Sequence, residues 1–318
     1  MLTTPLIKIH SLSALSGCEI YGKAEFTQLG GSVKDRAAFG MIAVAEKDGR
    51  LPPKGLIVEG TAGNTGIGLA VIAAQRGYRC VIVMPNNQAE EKYTVLRALG
   101  VELITVAPCP FANPAHFYHT AKRIAEERGG FWVNQFENPA NWQVHYETTG
   151  PEIWSQTGQR VDAFVASAGT GGTIGGVSRY LKAQNPLVKV ILADPLGSGL
   201  FSQVTTGELK STGSSMTEGI GIMRLTENFK AAIIDDAMQV DDQKMINMLH
   251  HLAQHDGLLV GTSAALNVYA AYEYALAHRG SKQTIVTILC DSALRYASKV
   301  FNESFLKEKG LVLSPITA

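Results

Sequence analysis

The chain contains 318 residues, of which 46% are hydrophobic, and its 28 basic residues balance its 28 acidic residues. This length allows a large core and about two lobes, while the balanced charge argues against nucleic acids and membrane surfaces as partners. The first residues lack the basic start and long apolar run of a secretory signal, and about 18 successive apolar residues occur nowhere, so we expect a cytoplasmic protein.

Strand patterns alternate with helical patterns along the whole chain. The first half contains the apolar runs GLIVEG, RCVIVMP and VELITV, separated by the helical segments TGIGLAVIAAQRG and QAEEKYTVLRALG. The second half contains AFVASAG, VKVILADP and TIVTILCD, separated by TIGGVSRYLKAQ and by helices near 242–256 and 263–278. Continuous apolar strands separated by helices indicate parallel sheets covered on both faces. We therefore predict an α/β protein with two doubly wound lobes and ligands beyond the carboxyl ends of the strands.

A lysine stands at the start of a predicted helix in the segment GGSVKDRAA, residues 30–38. The two glycines allow a tight turn, Ser32 is a favourable helix cap, and the following residues have helical apolar spacing. Cations are disfavoured at the positive end of a helix dipole. Either Lys34 is a solvated lysine whose field Asp35 offsets, or its amine has to lose a proton and attack a carbonyl.

Two glycine-rich segments follow predicted strands. The first, EGTAGNTGIG at 59–68, offers small hydroxyl and amide groups and bare backbone N–H groups at a helix start. The second, SAGTGGT at 167–173, opens a helix whose N–H groups and dipole favour a phosphate. It lacks the lysine of a Walker loop and the spacing of a dinucleotide fold, and close packing of a helix on a strand would also explain its glycines. Together the two segments predict one small ligand with phosphate and carboxylate groups.

The cysteines and histidines indicate no metal site. Cys18, Cys80, Cys109 and Cys290 are scattered, without a CxxC pair or a histidine at ligand spacing, so neither zinc nor a disulfide framework is predicted. The adjacent histidines in MINMLHHLAQH fall on the faces of a predicted helix. We expect reduced and mostly buried thiols.

Six segments together resemble the fold type II pyridoxal phosphate enzymes. In chain order they are KAEFTQLGGSVKDRAA, EGTAGNTGIGLA, NQFENPANWQVHYETTGPEIW, GTGGTIGG, TEGIG and TILCDSALRY. The resemblance is to the cysteine synthase (O-acetylserine sulfhydrylase) and cystathionine β-synthase family, with bacterial cysteine desulfhydrases as relatives. It implies two parallel-sheet lobes with pyridoxal 5′-phosphate in the cleft. Residues 1–34 and 147–318 would form the large cofactor-binding lobe, and residues 35–146 a smaller mobile lobe with the substrate loop.

The resemblance also implies roles for individual residues. Lys34 would bind the cofactor through a Schiff base and then remove the Cα proton of the substrate. Asn64 would contact the 3′ oxygen of the cofactor, and Ser292 would face its pyridine nitrogen. The phosphate would be held by Gly169, Thr170, Gly171, Gly172 and Thr173. The substrate and its carboxylate would be held by Thr61, Ala62, Gly63, Asn64, Thr65, Gln135 and Gly219.

A serine that faces the pyridine nitrogen has chemical consequences. It leaves the nitrogen neutral, whereas a carboxylate would keep the nitrogen protonated and make the ring a stronger electron sink. A weaker sink favours loss of a leaving group from the β carbon, and hence β-elimination or β-replacement. Asp291 would face the ring instead if the end of the strand were rotated by one position.

The implied reaction is β-replacement on an O-activated L-serine, in which O-acetylserine and sulfide give L-cysteine and acetate through an α-aminoacrylate intermediate. Three alternatives stay open. They are an L-cysteine desulfhydrase that forms sulfide, pyruvate and ammonia, β-replacement with another nucleophile of the cystathionine or cyanoalanine type, and a catalytically silent regulatory binder. Gln28, Ala62 and Ala265 depart from the family pattern at the edge of the site. The family also implies a homodimer.

Overall fold

Ten strands form two separate sheets in the computed structural model, which describes residues 2–316. The larger sheet has the order β1 (Leu6–Lys8), β2 (Glu19–Ala24), β10 (Thr284–Leu289), β7 (Ala163–Ser167), β8 (Lys189–Pro195) and β9 (Asp236–Val240). The smaller sheet has the order β5 (Glu102–Val106), β4 (Arg79–Pro85), β3 (Leu56–Gly60) and β6 (Phe131–Trp132). Neighbouring strands are parallel except for β1 and β2. The predicted α/β class with parallel sheets is confirmed.

Helices connect most of the strands. They are α1 (His10–Ser16), α2 (Lys34–Lys47), α3 (Asn64–Arg76), α4 (Glu90–Ala98), α5 (Phe117–Arg128), α6 (Ala140–Val144), α7 (Gly150–Gln156), α8 (Gly172–Gln184), α9 (Leu200–Thr206), α10 (Glu227–Lys230), α11 (Asp242–His255), α12 (Thr262–Ala277), α13 (Ala297–Val300) and α14 (Glu303–Glu308). A π-helical turn at His145–Thr149 joins α6 to α7. The two helices predicted near 242–256 and 263–278 correspond to α11 and α12.

The central strands are buried along their full length because helices cover both faces of each sheet. Every residue of β3, β7 and β10 is buried. Helix α12 is also buried over most of its length, since it packs between the larger sheet and α11. Between residues 2 and 316, no helix has the length and apolar character needed to cross a membrane.

The two sheets come from different parts of the chain. The smaller sheet lies within residues 56–132, and the larger sheet uses residues 6–24 and 163–289. Both predicted lobe boundaries fall inside helical segments, one at the start of α2 and the other within the π-helical turn. The boundaries themselves and the mobility of the smaller lobe stay predictions.

Helix α8 lies unusually close to the helical segment formed by α6, the π-helical turn and α7. A Cβ atom on Gly176 would lie 2.2 Å from the carbonyl oxygen of Trp142, and one on Gly172 would lie 1.9 Å from Oδ1 of Asn141. A Cβ on Gly175 would lie 2.7 Å from the carbonyl oxygen of Asn228. The glycines in GTIGG therefore allow a helix contact that any larger residue would push apart.

A buried ion cluster holds the first turn of α2. Arg36 is fully buried, and its guanidinium donates to Glu25 at 2.8 Å and to Glu152 at 2.7 and 2.8 Å. Lys23 lies 2.6 Å from the same Glu152 carboxylate. The two carboxylates raise the pKa of Arg36 although burial alone would lower it. Ion pairs around Arg36, which lies two positions after Lys34, thus join residues from β2, α2 and α7.

Glu59 is a buried carboxyl next to the end of β3. It is fully buried, and its Oε1 accepts a hydrogen bond from the Gln135 backbone N–H at 3.4 Å. Burial raises the pKa of Glu59 to about 8. Its Oε2 has no hydrogen-bond partner within the described part of the chain. At neutral pH the carboxyl is therefore mostly protonated in the folded protein.

We predict that Gly176→Ala lowers the free energy of unfolding by about 1–3 kcal/mol, because the added methyl group meets backbone atoms that have no room to move. Gly68→Ala on α3 is the matched control, since a Cβ there lies 3.2 Å from its nearest neighbours. The helix-propensity gain of alanine, about 1 kcal/mol, should offset this milder contact. Denaturant unfolding measures both variants, and equal stability changes would contradict the close-packing account.

Glu59→Gln should change how stability depends on pH. The folded protein keeps a proton on Glu59 that the unfolded chain loses above about pH 4.3. The free energy of unfolding therefore falls as the pH rises from that value to the folded pKa of Glu59. Glutamine removes that dependence. We expect the stability of Glu59→Gln relative to the parent to rise by about 2–4 kcal/mol between about pH 5 and pH 8.

Denaturant unfolding at several pH values measures this difference. Subtracting the two curves removes the contributions of groups that both proteins contain, such as Asp35 and Asp194, whose pKa values burial raises to about 6. Glu127→Gln, at an exposed glutamate of α5, is the control. If stability depended on pH in the same way in the parent and in Glu59→Gln, the Glu59 carboxyl would be ionised in the folded protein as it is in the unfolded chain.

Candidate active site

A cavity of about 390 Å³ lies where the carboxyl ends of strands from both sheets approach each other. Ten of the predicted site residues line it, namely Lys34, Thr61, Ala62, Gly63, Asn64, Thr65, Gln135, Gly169, Thr170 and Gly219. A smaller cavity adjoins it along the glycine loop, and Gly171, Gly172 and Thr173 line that one. Lys34, Gly169 and Thr170 line both cavities. The fold thus brings five segments that are distant in sequence to one place.

Lys34 is the first residue of α2. The preceding residues are tied to the end of β10, because the Val33 backbone N–H donates to the Cys290 carbonyl at 2.8 Å and Ser32 forms a backbone bridge with Asp291. The Lys34 backbone N–H donates to Ser32 Oγ at 3.3 Å. These bonds and the ion cluster around Arg36 hold the lysine where the two cavities meet.

The loop before α3 has a conformation that only glycine adopts easily. Gly63 has a φ of 132°, and a Cβ there would lie 2.6 Å from Cδ of the buried Lys92. The Thr65 hydroxyl donates to Oε1 of Gln135 at 2.5 Å, and Gln135 Nε2 donates to the Gly60 carbonyl at 3.1 Å. The loop is therefore pinned on both sides, at the positive end of the α3 dipole.

The Asn64 amide is held in one orientation by two charged groups. Its Nδ2 donates to Asp291 at 2.6 Å, and its Oδ1 accepts from Arg295 at 2.7 Å. Asp291 also accepts from the hydroxyl of Tyr296 at 2.6 Å. Because an amide nitrogen carries two hydrogens, Asn64 can still donate one to a ligand in the cavity.

Ser292 is not among the residues that line the two cavities, and its assignment to the pyridine nitrogen stays a prediction. Its Oγ instead accepts from the Leu294 backbone N–H at 3.2 Å and begins a short 3₁₀ turn at Ala293–Tyr296. β10 ends at Leu289, and the next residue, Cys290, still lines both cavities. Asp291 likewise lies outside the lining residues and binds Asn64.

Ser263 is a hydroxyl of the cavity that the sequence reasoning missed. It lies in the first turn of α12, is 5% exposed, and lines the cavity together with Cys290. Burial raises the pKa of the Cys290 thiol to about 11. The preceding Thr262 has a buried Oγ1 without a hydrogen-bond partner in residues 2–316. The segment GTS at a helix start was the available signal.

The glycine loop after β7 forms a cradle for an anion. Gly171 has a φ of 84°, and a Cβ there would lie 2.4 Å from Cα of Phe229. A Cβ on Gly169 would lie 2.4 Å from the carbonyl oxygen of Gly219. The first N–H groups of α8 and the hydroxyls of Thr170 and Thr173 can donate to a bound anion. These donors beside a lysine amine fit a ligand that carries both a phosphate and a carbonyl group.

Charged and aromatic side chains that the sequence did not indicate also line the cavity. The guanidinium of Arg224 lies 4.4 Å from the ring centre of Phe111 and 4.7 Å from that of Phe136, and it pairs with Glu137. The buried Lys92 lies 2.5 Å from Glu218. Burial lowers the pKa of Lys92 despite this pairing. No single local pattern marks such residues, because they come from separate segments of the chain.

Comparison with known proteins identifies the family. Residues 2–291 match the family described as pyridoxal-phosphate dependent enzyme. The chain is 49% identical over 315 residues to cysteine synthase 1 of Neurospora crassa, an alignment that covers 97% of this chain and 84% of that protein.

Two solved structures have the same fold. The crystal structure of O-ureido-L-serine synthase has a TM-score of 0.86 at 32% identity and covers 95% of this chain and 93% of its own. That of a hydrogen sulfide-producing enzyme from Fusobacterium nucleatum has a TM-score of 0.83 at 32% identity and covers 92% of this chain and 96% of its own. The chain therefore belongs to the family of pyridoxal-phosphate dependent enzymes.

Proposed function

We propose that this protein is a cysteine synthase that converts an O-activated L-serine, in the first instance O-acetylserine, and sulfide into L-cysteine and acetate. The observation that carries the proposal is that Lys34 lies where two adjoining cavities meet, one lined by a loop suited to a carboxylate and the other by an anion cradle. The similarity to the cysteine synthase of Neurospora crassa supports the same activity.

The chain offers a matching group for each part of the cofactor. When bound, pyridoxal phosphate supplies a carbonyl carbon for a covalent bond to an amine and a ring that withdraws electrons from the substrate Cα. The loop at 169–173 would hold its phosphate, and Asn64 would donate to its 3′ oxygen. The Nζ atom of Lys34 would bond to the cofactor at rest and take the Cα proton of the substrate during turnover.

The loop at 61–65 would hold the substrate carboxylate. Its backbone N–H groups stand at the start of α3, where the helix dipole favours an anion. The Thr61 hydroxyl and the second hydrogen of the Gln135 amide add side-chain donors, and Thr65 holds that amide in place through its own hydroxyl proton. Ala62 adds no donor, and Gly219 would border the substrate. The bond between Thr65 and Gln135 makes these donors a unit, so carboxylate binding would tighten the cavity and exclude water.

Ser263 is our choice for the residue that faces the pyridine nitrogen, in place of Ser292. Ser263 lines the cavity with Lys34, whereas the hydroxyl of Ser292 caps a turn. A neutral hydroxyl at this position keeps the chemical argument for β-replacement, because it leaves the nitrogen unprotonated.

A second candidate function is that of an L-cysteine desulfhydrase. It is favoured by the structural similarity to the hydrogen sulfide-producing enzyme of Fusobacterium nucleatum. The two functions share all the residues assigned above and differ in whether water or sulfide completes the reaction. A homodimer, a cytoplasmic location and a mobile lobe at 35–146 are further parts of the proposal that rest on the family resemblance and the composition.

The functional test is to incubate the purified holoenzyme with O-acetylserine and sulfide and to measure cysteine, and in parallel to incubate it with cysteine alone and to measure pyruvate. We expect cysteine formation to exceed pyruvate formation. Lys34→Ala should lower activity by roughly several orders of magnitude, because the variant loses the amine needed for covalent catalysis.

Lys47→Ala is the matched control, because Lys47 is an exposed lysine at the other end of the same helix. It should retain full activity. Near-normal turnover by Lys34→Ala would refute the assignment of Lys34. Rapid pyruvate release from cysteine without cysteine synthesis would replace the synthase by the desulfhydrase.

The choice between the two serines predicts different effects of two small substitutions. Ser263→Ala should lower turnover by about two- to tenfold, the usual effect of one lost hydrogen bond, and should shift the absorption band of the bound cofactor. Ser292→Ala should leave the spectrum unchanged. A spectral shift in Ser292→Ala alone would restore the sequence-based assignment.

A further inference from the structure

Two buried side chains stand directly behind the threonines of the glycine loop. Asn141 and His145 are each 1% exposed and lie four residues apart, so they share one side of the helical segment. Nδ2 of Asn141 lies 3.0 Å from Oγ1 of Thr170, and Nε2 of His145 lies 3.3 Å from Oγ1 of Thr173. Each threonine hydroxyl therefore has a partner on the side away from the cavities.

We propose that Asn141 and His145 are positioning residues that set the direction of the Thr170 and Thr173 hydroxyls, so that both donate their protons to the cofactor phosphate. The inference rests on the assignment of the loop at 169–173 as the phosphate site.

The direction of the Thr170 hydroxyl follows from its partners. The Asn141 amide cannot be turned around, because the same Nδ2 donates to the Gln135 carbonyl at 2.8 Å. The Gly172 backbone N–H also donates to Thr170 Oγ1, at 3.3 Å. The oxygen thus accepts two hydrogen bonds, and its own proton is left to be donated into the loop.

The direction of the Thr173 hydroxyl depends on the tautomer of His145. Burial and the positive charges of Arg36 and Lys34 hold the pKa of His145 well below its usual range, so the ring carries one N–H. Its Nδ1 lies 2.8 Å from Oγ1 of Thr149. If Nε2 carries the hydrogen, Thr149 donates to Nδ1, His145 donates to Thr173, and the Thr173 proton is free to be donated to the phosphate.

The other tautomer, with hydrogen on Nδ1, would reverse the direction of these hydrogen bonds. His145 would donate to Thr149 and accept from Thr173, and the Thr173 oxygen would then face an anion without a hydrogen to offer it. A phosphate oxygen only accepts hydrogen bonds, so a bound phosphate selects the tautomer with hydrogen on Nε2.

The glycines of α8 are what let these residues reach the loop. A Cβ on Gly172 would lie 1.9 Å from the Asn141 side chain, and one on Gly176 would lie 2.6 Å from Cβ of His145. The π-helical turn begins at His145, and such turns are frequent at functional sites. The segment NWQVHYETTG thus has a use that its sequence alone did not show.

The test measures the affinity of the cofactor-free protein for pyridoxal 5′-phosphate and for pyridoxal, which lacks the phosphate. His145→Leu should weaken binding of the phosphate form about tenfold and leave pyridoxal binding unchanged. His145→Gln keeps a donor near the position of Nε2 and should stay within about threefold of the parent. In a Thr173→Val background, His145→Leu should add less than about twofold, because its effect passes through Thr173.

His251→Leu is the control for loss of a buried histidine. This residue lies on α11 and contacts Ser11 at 2.9 Å, outside both cavities. It should change neither affinity. Equal weakening of pyridoxal and pyridoxal phosphate by His145→Leu would show a merely structural role and overturn the proposal. If neither Thr170→Val nor Thr173→Val weakens phosphate binding, the phosphate site itself is misassigned.

Nitrogen-15 NMR of the His145 ring in the loaded protein gives an independent readout that needs no variant. We expect hydrogen on Nε2 and an unprotonated Nδ1. Hydrogen on Nδ1 in the loaded protein would overturn the proposal even if His145→Leu does not fold.

Discussion

The salt bridges of Arg36 to Glu25 and Glu152 form the interaction on which the position of Lys34 depends. The guanidinium is fully buried and saturated by two carboxylates from different elements. Breaking such a pair leaves an uncompensated buried charge, which typically costs about 3–5 kcal/mol. The first turn of α2 therefore has one place in the fold. The backbone of Lys34, two residues earlier, is held there with it.

The anion cradle depends on a different constraint, the close contact of α8 with the segment at 140–156. Glycine at 172 and 176 removes the side chains that would separate the two helices. The contact places buried donors behind the loop, where they are screened from water. Hydrogen bonds to a charged acceptor contribute about 1.5–3 kcal/mol, so donors that already point toward the ligand add to affinity without further reorganisation.

Contacts between the two sheet regions meet at the cavity. Lys92 of α4 pairs with Glu218, and Asn64 of α3 is held by Asp291 and Arg295. The loop at 61–65 is therefore connected to the region of the larger sheet by charged groups. Such contacts depend strongly on geometry, so a movement of one region relative to the other would be felt directly at residues 61–65.

The sequence by itself determined the α/β class, because long apolar strands between amphipathic helices have few other ways to be buried. It also indicated Lys34 and both glycine-rich segments, since each is a local motif whose residues are adjacent in the chain. Ser292 shows the limit of this reasoning. A strand pattern does not tell where the strand ends. β10 ends at Leu289, and the Ser292 hydroxyl accepts from the Leu294 backbone N–H, so its place beside the pyridine nitrogen stays a prediction.

Only the tertiary structure decided which distant side chains meet at the site. Ser263, Lys92 and Arg224 enter the cavity from three separate segments, and Asn141 and His145 reach the loop through a contact between helices. Local sequence carries little information about such meetings, because they depend on how whole elements pack. The buried carboxyl of Glu59 belongs to the same class, since its protonation follows from its surroundings and not from its neighbours in the chain.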